Sequence, residues 1–383
     1  MSRVGVALIG LLAAAAVVAC GGGGPAAPKA KDRPFQDGPC PSRLVVQTDW
    51  FPEVEHGALY QLVGSAGVVD KAALTYRGPL AGEYRGPHGV REVEIRAGGA
   101  AIEFKRPIDV LYDDPAVTLA YTNTDDAIRS AGTRPVVQVA ASLDLSPQIL
   151  MWNPFVHDIK GFDDIARTGV KVRYAKGLNY MDYLVASGHV KEAQLDPSYD
   201  GSPAKWLESG GSIIQQGFAT NEVYLYTEGE VGWKKPVDFL LVHWSGYEAY
   251  PQAYTVRADR VGELSPCLRL FVPVLQQAAV DFFADPQPVS EQLVEIVEAQ
   301  STFWQISKRL NQKAVEIFDT FEIAGNGPDT TYGNFDDKRM ERFTKLMTGL
   351  FQGKANPVKP GLRADEVYTN AFIDPSIGRR AGQ

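Results

Sequence analysis

The sequence predicts an α/β fold with two lobes. Short β-branched runs alternate with helical segments from residue 43 to residue 242, which is typical of helices packed on a largely parallel sheet. Without the N-terminal segments described next, about 340 residues remain, more than one hydrophobic core usually holds. From residue 264 onward, apolar residues return at helical spacing. We therefore expect two α/β lobes, with the late helices packed on one of them.

The N-terminal segment has the layout of a secretory signal peptide. Arg3 gives a basic start, residues 4–19 are mostly apolar, and a small residue precedes Cys20. The apolar run is shorter than the about 20 residues of a membrane-spanning helix, so an uncleaved anchor is the less favoured alternative. Residues 17–20 resemble a bacterial lipobox, in which the cysteine becomes acylated. The resemblance implies a signal peptide over residues 1–19 and a lipoprotein held to the cell membrane, on its extracytoplasmic face, by acyl chains such as palmitate.

Residues 20–40 are predicted to form the lipidated cysteine and a flexible tether. They contain four consecutive glycines and several prolines without apolar periodicity, so they cannot bury a core. The folded part is expected to begin near Pro39. Beyond Cys20 the only cysteines are Cys40 and Cys267. An extracytoplasmic location permits a disulfide between them, and two buried free thiols are the alternative.

Composition excludes several classes of function. The net charge of −8 argues against nucleic-acid binding, which needs a basic surface. Two cysteines and no Cys-x-x-Cys pattern make a structural zinc site improbable. Glu53, Glu55 and His56 lie close together in the sequence, but two carboxylates and a histidine in a loop are weak evidence of a metal site, so no metal or other cofactor is expected. Signatures of metalloproteases, P-loop enzymes and serine hydrolases are missing from the sequence, so it does not predict an enzyme.

The secondary-structure pattern is read from the same alternation. Residues 75–107 are rich in glycine, proline and charge, and residues 93–96 and 101–104 could pair as a hairpin. The other runs predicted as strands are residues 43–47, 116–121, 136–141, 170–174, 212–216 and 238–242. The segments predicted as long helices are residues 264–285, 290–308, 312–323 and 336–352. Shorter helices are expected over residues 56–64, 180–187, 204–209 and 221–226.

Residues 48–60 carry a resemblance to a known family. They read Thr-Asp-Trp-Phe-Pro-Glu-Val-Glu-His-Gly-Ala-Leu-Tyr and follow the first predicted strand. This resembles the opening of the thiamine pyrimidine-precursor and riboflavin binding proteins of ABC importers, within the nitrate, sulfonate and taurine binding group. Residues 217–222 and 361–370 look like two further family segments, each weak alone. The resemblance spans residues 44–373.

The resemblance implies a type II periplasmic-binding fold with a ligand cleft between its lobes. Lobe I would hold residues 41–140 and 253–383, and lobe II residues 141–252, with crossovers over residues 136–150 and 250–257. Such lobes close on a ligand by hinge motion. The chain departs from the family at Glu53, where asparagine is usual, at residues 61–63, and in the long polar segment 75–106. These departures leave the ligand open.

The candidate ligand-binding residues of lobe I follow its strands. Trp50 follows the first strand directly, where its indole could stack on a flat heterocycle or could be a core aromatic. His56 could hydrogen-bond to the ligand or be satisfied by backbone, and Tyr60 lies one helical turn beyond it. Thr124 and Asp125 follow a later strand and could face the cleft.

The candidates of lobe II come from two loops. Gly177, Asn179 and Tyr180 lie at a helix start that could bind an anion, although Asn179 could be an ordinary N-cap. Asn221 and Glu222 could bind ring amino groups of the ligand, or Glu222 could be a solvated carboxylate stabilised by the helix dipole.

The sequence therefore predicts a lipid-anchored solute-binding protein that delivers a small heterocyclic nutrient, similar to a thiamine pyrimidine precursor, to an ABC importer. Its expected partners are that ligand, the ABC permease and ATPase, and the membrane through the anchor; it is expected to act as a monomer. A binder of a small anion such as a sulfonate is the alternative, and an extracellular enzyme of the same fold is less favoured.

Overall fold

The structure is a computed structural model, and it describes residues 32–354 and 357–380. The predicted signal peptide and Cys20 lie outside the described residues. Two β-sheets, each with its own helices, make up the described part of the chain. We call the first sheet with its helices the first lobe, and the second sheet with its helices the second lobe. The predicted two-lobed α/β fold is thus confirmed.

The first sheet has seven strands within the described residues. In chain order they are β1 (Arg43–Gln47), β2 (Val68–Asp70), β3 (Thr75–Pro79), β4 (Glu92–Arg96), β5 (Leu119–Thr122), β6 (Val136–Ala140) and β12 (Ala253–Arg257). Their spatial order is β2-β3-β4-β1-β5-β12-β6. Strand β1 pairs in parallel with β4 and β5 and is buried over its last four residues, which explains its apolar, β-branched sequence.

The second sheet is assembled from the segment between β6 and β12. Its strands are β7 (Gln148–Trp152), β8 (Val172–Arg173), β9 (Leu195–Asp196), β10 (Ile214–Phe218) and β11 (Asp238–Leu241). They lie in the order β11-β7-β10-β8-β9. Strand β7 runs antiparallel to both neighbours, whereas β8 is parallel to β9 and β10. The second sheet is therefore inserted into the first lobe by two crossovers. The lobe limits at residues 140/141 and 252/253 stay a prediction.

Helices cover both sheets. Those that follow first-sheet strands are α1 (Gly57–Gln61), α2 (Pro107–Asp113) and α3 (Thr124–Ser130). Those within the inserted segment are α4 (Phe162–Thr168), α5 (Asn179–Ala186), α6 (Ala204–Glu208) and α7 (Glu222–Glu228). The C-terminal helices are α8 (Val261–Ala284), α9 (Gln287–Gln300), α10 (Lys308–Thr320) and α11 (Asp337–Leu350). Side chains of Ser307 and Asp336 cap α10 and α11, as helix N-termini require.

Two predicted elements were wrong. Residues 101–104 do not pair with residues 93–96, because β4 pairs instead with β3 and β1. The backbone at Glu103 and Phe104 has positive φ, which ends any strand there. The helix predicted over residues 290–308 ends at Gln300, since Ser301 adopts a left-handed conformation with φ of 54°.

Helix α8 and a disulfide organise the first lobe. Residues Ala258–Ala284 are long and apolar enough to span a membrane by composition, yet α8 contributes many buried side chains to the core of this lobe. Cys267 of α8 is joined to Cys40 by a disulfide with 4.6 Å between the Cα atoms. The disulfide closes a loop of 227 residues, which is the arrangement that most restricts an unfolded chain.

The side chain of Arg339 on α11 holds both crossovers. Its Nη1 donates to Oδ1 of Asp144 at 2.9 Å, in the outgoing crossover. Its Nε donates to the carbonyl of Glu248 at 2.7 Å and its Nη2 to that of Ala249 at 3.2 Å, in the returning crossover. The guanidinium also lies 3.6 Å from the ring centre of Tyr250. One buried cation thereby ties together the two segments about which the lobes would hinge.

Candidate functional site

The loop after β1 is shaped by its own polar side chains. The amide of Gln47, at the end of β1, donates to the carbonyl of Ala97 at 3.0 Å. The hydroxyl of Thr48 lies 2.7 Å from the carbonyl of Trp50 and 2.8 Å from that of Arg96. These bonds bend the chain sharply, and Pro52 prevents any continuation of the strand. The short 3₁₀ helix Val54–His56 then leads into α1.

Four polar side chains meet in this bend, and we call them the His56 cluster: Asp49, Glu53, His56 and Gln252. Nε2 of His56 lies 2.9 Å from Oδ1 of Asp49 and 3.4 Å from Oε1 of Glu53. Gln252 reaches the same place from the residue before β12. Asp49, Glu53 and His56 each offer one ligand atom, and these three atoms lie within 4.8 Å of one another, close enough to hold a metal ion.

The amide of Gln252 occupies the middle of the cluster. Its Nε2 lies 3.2 Å from Oδ2 of Asp49, 3.3 Å from Oε1 of Glu53 and 3.4 Å from Nε2 of His56. In the described part of the chain, Oε1 of Gln252 and Nδ1 of His56 are both buried and have no hydrogen-bond partner. Buried polar atoms are almost always paired, so these two mark a site whose hydrogen bonding is incomplete.

The carboxylates near the cluster repel one another. Burial raises the pKa of Glu53 well above its usual value, and the nearby charges of Glu55, Asp49 and Glu222 raise that pKa further. The N–H groups of Gln252 partly oppose this rise. Glu222 belongs to the second lobe, so its carboxylate acts on that of Glu53 from the other side of the contact between the lobes. The arrangement therefore favours a positively charged or N–H-bearing group between the lobes.

The second lobe presents a loop whose polar atoms are already paired. Glu222, the first residue of α7, accepts hydrogen bonds from the backbone N–H of Phe218 at 2.7 Å and the hydroxyl of Tyr199 at 2.8 Å. A Cβ atom on Gly217 would stand only 3.0 Å from Cβ of Glu222, so glycine leaves room for this fold of the loop. Burial raises the pKa of Glu222. Thr220, on the same loop, donates its hydroxyl hydrogen to Glu55 of the first lobe.

A second contact between the lobes lies at the start of α3. The amide Nδ2 of Asn179, on α5, donates to Oδ2 of Asp125 at 3.0 Å and lies 3.3 Å from Oδ1 of Asp126. Asp125 also accepts a hydrogen bond of 2.8 Å from the hydroxyl of Tyr247. Burial and the adjacent Asp125 raise the pKa of Asp126 to about 7. Thr124 is fully buried and donates to Oε1 of Gln138 at 3.0 Å, inside the first lobe.

The two aromatic candidates of the first lobe pack within that lobe; burial raises the pKa of the Tyr60 hydroxyl, and the charge of Glu53 raises that pKa further. The ring contacts that the structure gives for Trp50 are with Phe51, Phe104 and Trp304, all of the first lobe. The ring of Tyr60 is buried in the core. The stacking role of Trp50, and its role opposite Glu222, stay predictions.

The other candidate residues of the second lobe are Gly177, Tyr180 and Asn221. Gly177 adopts a positive φ of 92° in the turn before α5, and its substitution would strain the backbone. Tyr180 is buried, with its hydroxyl 3.3 Å from Oε1 of Gln216. The side chain of Asn221 hydrogen-bonds to Glu222. The start of α5 thus lies beside Asp125 and Asp126, whose carboxylates disfavour an anion there.

Sequence reasoning missed several of the residues that form the site. Asp49 precedes Trp50 in the motif, and Glu53 was noted as a departure from the family and, with Glu55 and His56, as weak evidence of a metal site. Thr220 lies within the weak second motif. Gln252 carries no sequence signal, because it is 203 residues away from Asp49. Only the fold brings it to the His56 cluster.

Comparison with solved structures identifies the class of fold. A ligand-binding component of an ABC-type import system from Staphylococcus aureus, solved with zinc bound, is 13% identical, with a TM-score of 0.52 over 88% of this chain and 100% of that chain. A putative periplasmic sulfonate-binding protein from Methylobacillus flagellatus is 11% identical, with a TM-score of 0.52 over 87% of this chain and 93% of that chain. The periplasmic nitrate-binding protein of Synechocystis is 12% identical, with a TM-score of 0.50 over 86% and 87%.

These similarities establish the fold. The predicted resemblance to importer solute-binding proteins, including those of the nitrate and sulfonate group, is confirmed at the level of the fold. No protein-family model matches the chain, and no curated protein matches it. The fold alone does not set the ligand, since identities this low are compatible with many different binding sites.

Proposed function

We propose that this chain is the solute-binding component of an ABC importer, working outside the cytoplasm with a permease and an ATPase. The two lobes, the two crossovers and the contacts between the lobes support a protein that closes around a ligand. The structural neighbours named above have the same fold; the titles of two name an ABC import system or transporter, and that of the third names a periplasmic binding protein. Neighbours of this kind are binding proteins, which supports a transport role over an enzymatic one.

The ligand that the cleft fits best carries a positive charge or several N–H groups. The observation that carries this proposal is the group of carboxylates at the contact between the lobes: Asp49, Glu53, Glu55 and Glu222. In the described part of the chain, neither lysine nor arginine is among the hydrogen-bond or ion-pair partners that the structure gives for them. A small heterocycle with amino groups, such as a thiamine pyrimidine precursor, would supply the missing donors. Each charged hydrogen bond would contribute about 1.5–3 kcal/mol.

A small anion is the weaker candidate. Sulfonate and nitrate appear in the titles of two neighbours, but those neighbours share only the fold with this chain. The helix start at Asn179, where an anion was predicted to bind, lies within hydrogen-bond distance of Asp125 and Asp126. Two carboxylates beside a site oppose an anion at close range.

Titration of the purified full-length chain tests the ligand class. An aminopyrimidine, riboflavin and taurine are each titrated while tryptophan fluorescence and heat of binding are recorded. We expect the aminopyrimidine to bind most tightly. Replacing Glu222 with glutamine should then weaken that binding about 10–100-fold, because one charged hydrogen bond across the cleft is lost.

Glu208→Gln is the matched control, because Glu208 is an exposed acid of the same lobe. It should bind the aminopyrimidine as the parent does. Tighter binding of taurine than of the aminopyrimidine would overturn the donor-rich ligand and favour the anion. Equal losses in Glu222→Gln and Glu208→Gln would show that Glu222 does not contact the ligand.

We also propose that the chain is a lipoprotein acylated at Cys20 and acting as a monomer. The proposal is supported by the signal-peptide layout and by the oxidised Cys40–Cys267 pair, since disulfides persist outside the cytoplasm. Mass spectrometry of the mature N-terminus tests it. A mature chain that begins at an acylated cysteine is expected, and an unmodified Cys20 would overturn the anchor.

A further inference from the structure

The atoms of the His56 cluster form the corners of a tetrahedron. Five of its six edges are given by the contacts described above, and they measure from 2.9 to 3.4 Å. The sixth, between the carboxylates of Asp49 and Glu53, is shorter than 4.8 Å. In tetrahedral Zn²⁺ sites with nitrogen and oxygen ligands about 2.0–2.1 Å from the metal, neighbouring ligand atoms are about 3.3–3.4 Å apart. Four of the five measured edges, at 3.3–3.4 Å, agree with such a shell, and the edge between His56 and Asp49 is shorter, at 2.9 Å.

The ligand types match a divalent transition metal. His56 offers a fully buried imidazole nitrogen, and Asp49 and Glu53 offer one carboxylate oxygen each. One imidazole and two carboxylates form a ligand set common in zinc and iron proteins. Two negative charges beside a neutral ring also balance a dication without any further counter-ion.

Gln252 is the independent observation that points to a bound ion. It is 3% exposed, its amide is directed into the cluster, and its Oε1 has no partner among the described residues. Rotating the amide by half a turn exchanges Nε2 for Oε1 and places a neutral oxygen at the fourth corner. In the observed orientation, the N–H groups of Gln252 stand in for a cation between the carboxylates.

The backbone of Gln252 is held in place beside the cluster. Its φ is 49°, a left-handed value that is unfavourable for a residue other than glycine. The backbone N–H donates to Oδ1 of Asn123 at 3.1 Å, and the backbone carbonyl accepts from the hydroxyl of Ser142 at 2.7 Å. A strained residue held from both sides is typical of a functional site.

We propose that Asp49, Glu53, His56 and Gln252 bind one divalent transition-metal ion of the Zn²⁺ class in the first lobe. All four residues lie in the loop after β1 or directly before β12, so the site is complete without the second lobe. Metal binding therefore does not depend on the organic ligand proposed above. The ion supplies positive charge to the acidic cleft, next to Glu55 and Glu222.

The affinity should be moderate. Metal-bound histidines almost always donate their second ring N–H to an acceptor, and this outer contact strengthens binding about 10–100-fold. Nδ1 of His56 has no such acceptor in the described part of the chain. We therefore expect binding weaker than in zinc enzymes by about that factor.

The test is equilibrium dialysis of the metal-free full-length chain against Zn²⁺ alone, with competition by a chromophoric chelator. We expect one Zn²⁺ per chain. Co²⁺ in its place should give the intense visible absorption of a four-coordinate ion. Asp49→Asn, Glu53→Gln, His56→Gln and Gln252→Leu should each lower the affinity at least about tenfold and change the Co²⁺ spectrum, because each removes one corner of the shell.

Two control variants keep the test specific. His157→Gln removes a histidine of the second lobe, and Glu298→Gln removes an exposed acid of α9. Both should retain one Zn²⁺ per chain with the parent spectrum. Circular dichroism identifies any variant that does not fold. In that case the Zn²⁺ affinities of the conservative variants Asp49→Asn and Glu53→Gln decide whether the His56 cluster binds the metal.

Zn²⁺ that remains bound in the cluster variants, or that is lost in His157→Gln, would show adventitious metal and overturn the proposal. So would six-coordinate Co²⁺ spectra in the parent. Titrating the aminopyrimidine against metal-free and metal-loaded chains separates the two proposals. Solute binding without metal binding overturns the metal site alone, and metal binding without solute binding overturns only the proposed solute.

Discussion

The two contacts between the lobes, Asp125–Asn179 and Glu55–Thr220, differ in how the negative charge of their carboxylates is balanced. At the Asp125 contact, the amide of Asn179 donates to the carboxylates of the first lobe; burial and Asp125 raise the pKa of Asp126, and the guanidinium of Arg106 partly opposes that rise. At the Glu55–Thr220 contact, several carboxylates stand together, and among the described residues the groups that face them are hydroxyls, amides and the imidazole of His56. The first contact is complete within the protein. The second is short of positive charge, which indicates that a ligand supplies it.

The largest effect should come from breaking the link between the two crossovers, Arg339. Replacing Arg339 with methionine leaves the carboxylate of Asp144 buried without its cation, so we expect the free energy of unfolding to fall by about 3–5 kcal/mol. Urea denaturation measures this loss.

Arg342→Met is the control for that experiment. Arg342 pairs with Glu248 on the surface, where an ion pair contributes about 0–1 kcal/mol. Similar losses in Arg339→Met and Arg342→Met would contradict the role of Arg339 as the link between the crossovers.

At the Asp125 contact, the free energy of unfolding should depend on pH. The pKa of Asp126 is about 7 in the folded chain against an ordinary value of 3.8; burial, Asp125 and Asp109 raise it, and Arg106 and Asn179 oppose the rise. Between these values the folded chain keeps a proton that the unfolded chain has lost. Its contribution to stability is therefore present at low pH and is lost as the pH rises through about 7.

Asp126→Asn removes this dependence. Above pH 7 we expect the free energy of unfolding of the variant to exceed that of the parent by about 2 kcal/mol. This difference is smaller than the full pKa shift would give, because solvent partly screens the charge. The difference should vanish below about pH 4. Urea denaturation over this range measures it, with the exposed Asp158→Asn as control. A constant difference at all pH values would contradict the assignment.

The smallest effect is expected at the Glu55–Thr220 contact. Thr220→Val keeps the shape of the side chain but removes the hydrogen bond to Glu55, worth about 1 kcal/mol. The ratio of closed to open chains should fall about fivefold, measured by small-angle X-ray scattering. Thr220→Ser keeps the hydroxyl and should resemble the parent. A larger effect of the serine variant would show that packing of the methyl group, not the hydrogen bond, joins the lobes.

The sequence predicts local features of this molecule better than distant ones. Strand β1 and the long helix α8 follow directly from apolar runs and helical spacing. The hairpin prediction failed because alternation over residues 101–104 could not reveal the left-handed backbone there. Trp50 was placed correctly after a strand, but the neighbours of its ring include Trp304, far along the chain. No sequence pattern reports which distant ring a side chain meets.

The same limit explains what was missed at the candidate site. Residues of one loop, such as His56 and Glu53, could be picked out from their spacing. Gln252 could not, because its importance arises only from the sheet order that sets β12 beside β5, near the end of β1. Charge balance in a cleft is likewise a property of the assembled lobes.

The disulfide between Cys40 and Cys267 has a mechanical consequence. Cys40 stands just before β1, and Cys267 lies in a helix of 24 residues. A pull on the chain ahead of Cys40 is therefore shared between β1, through the main chain, and α8, through this covalent link.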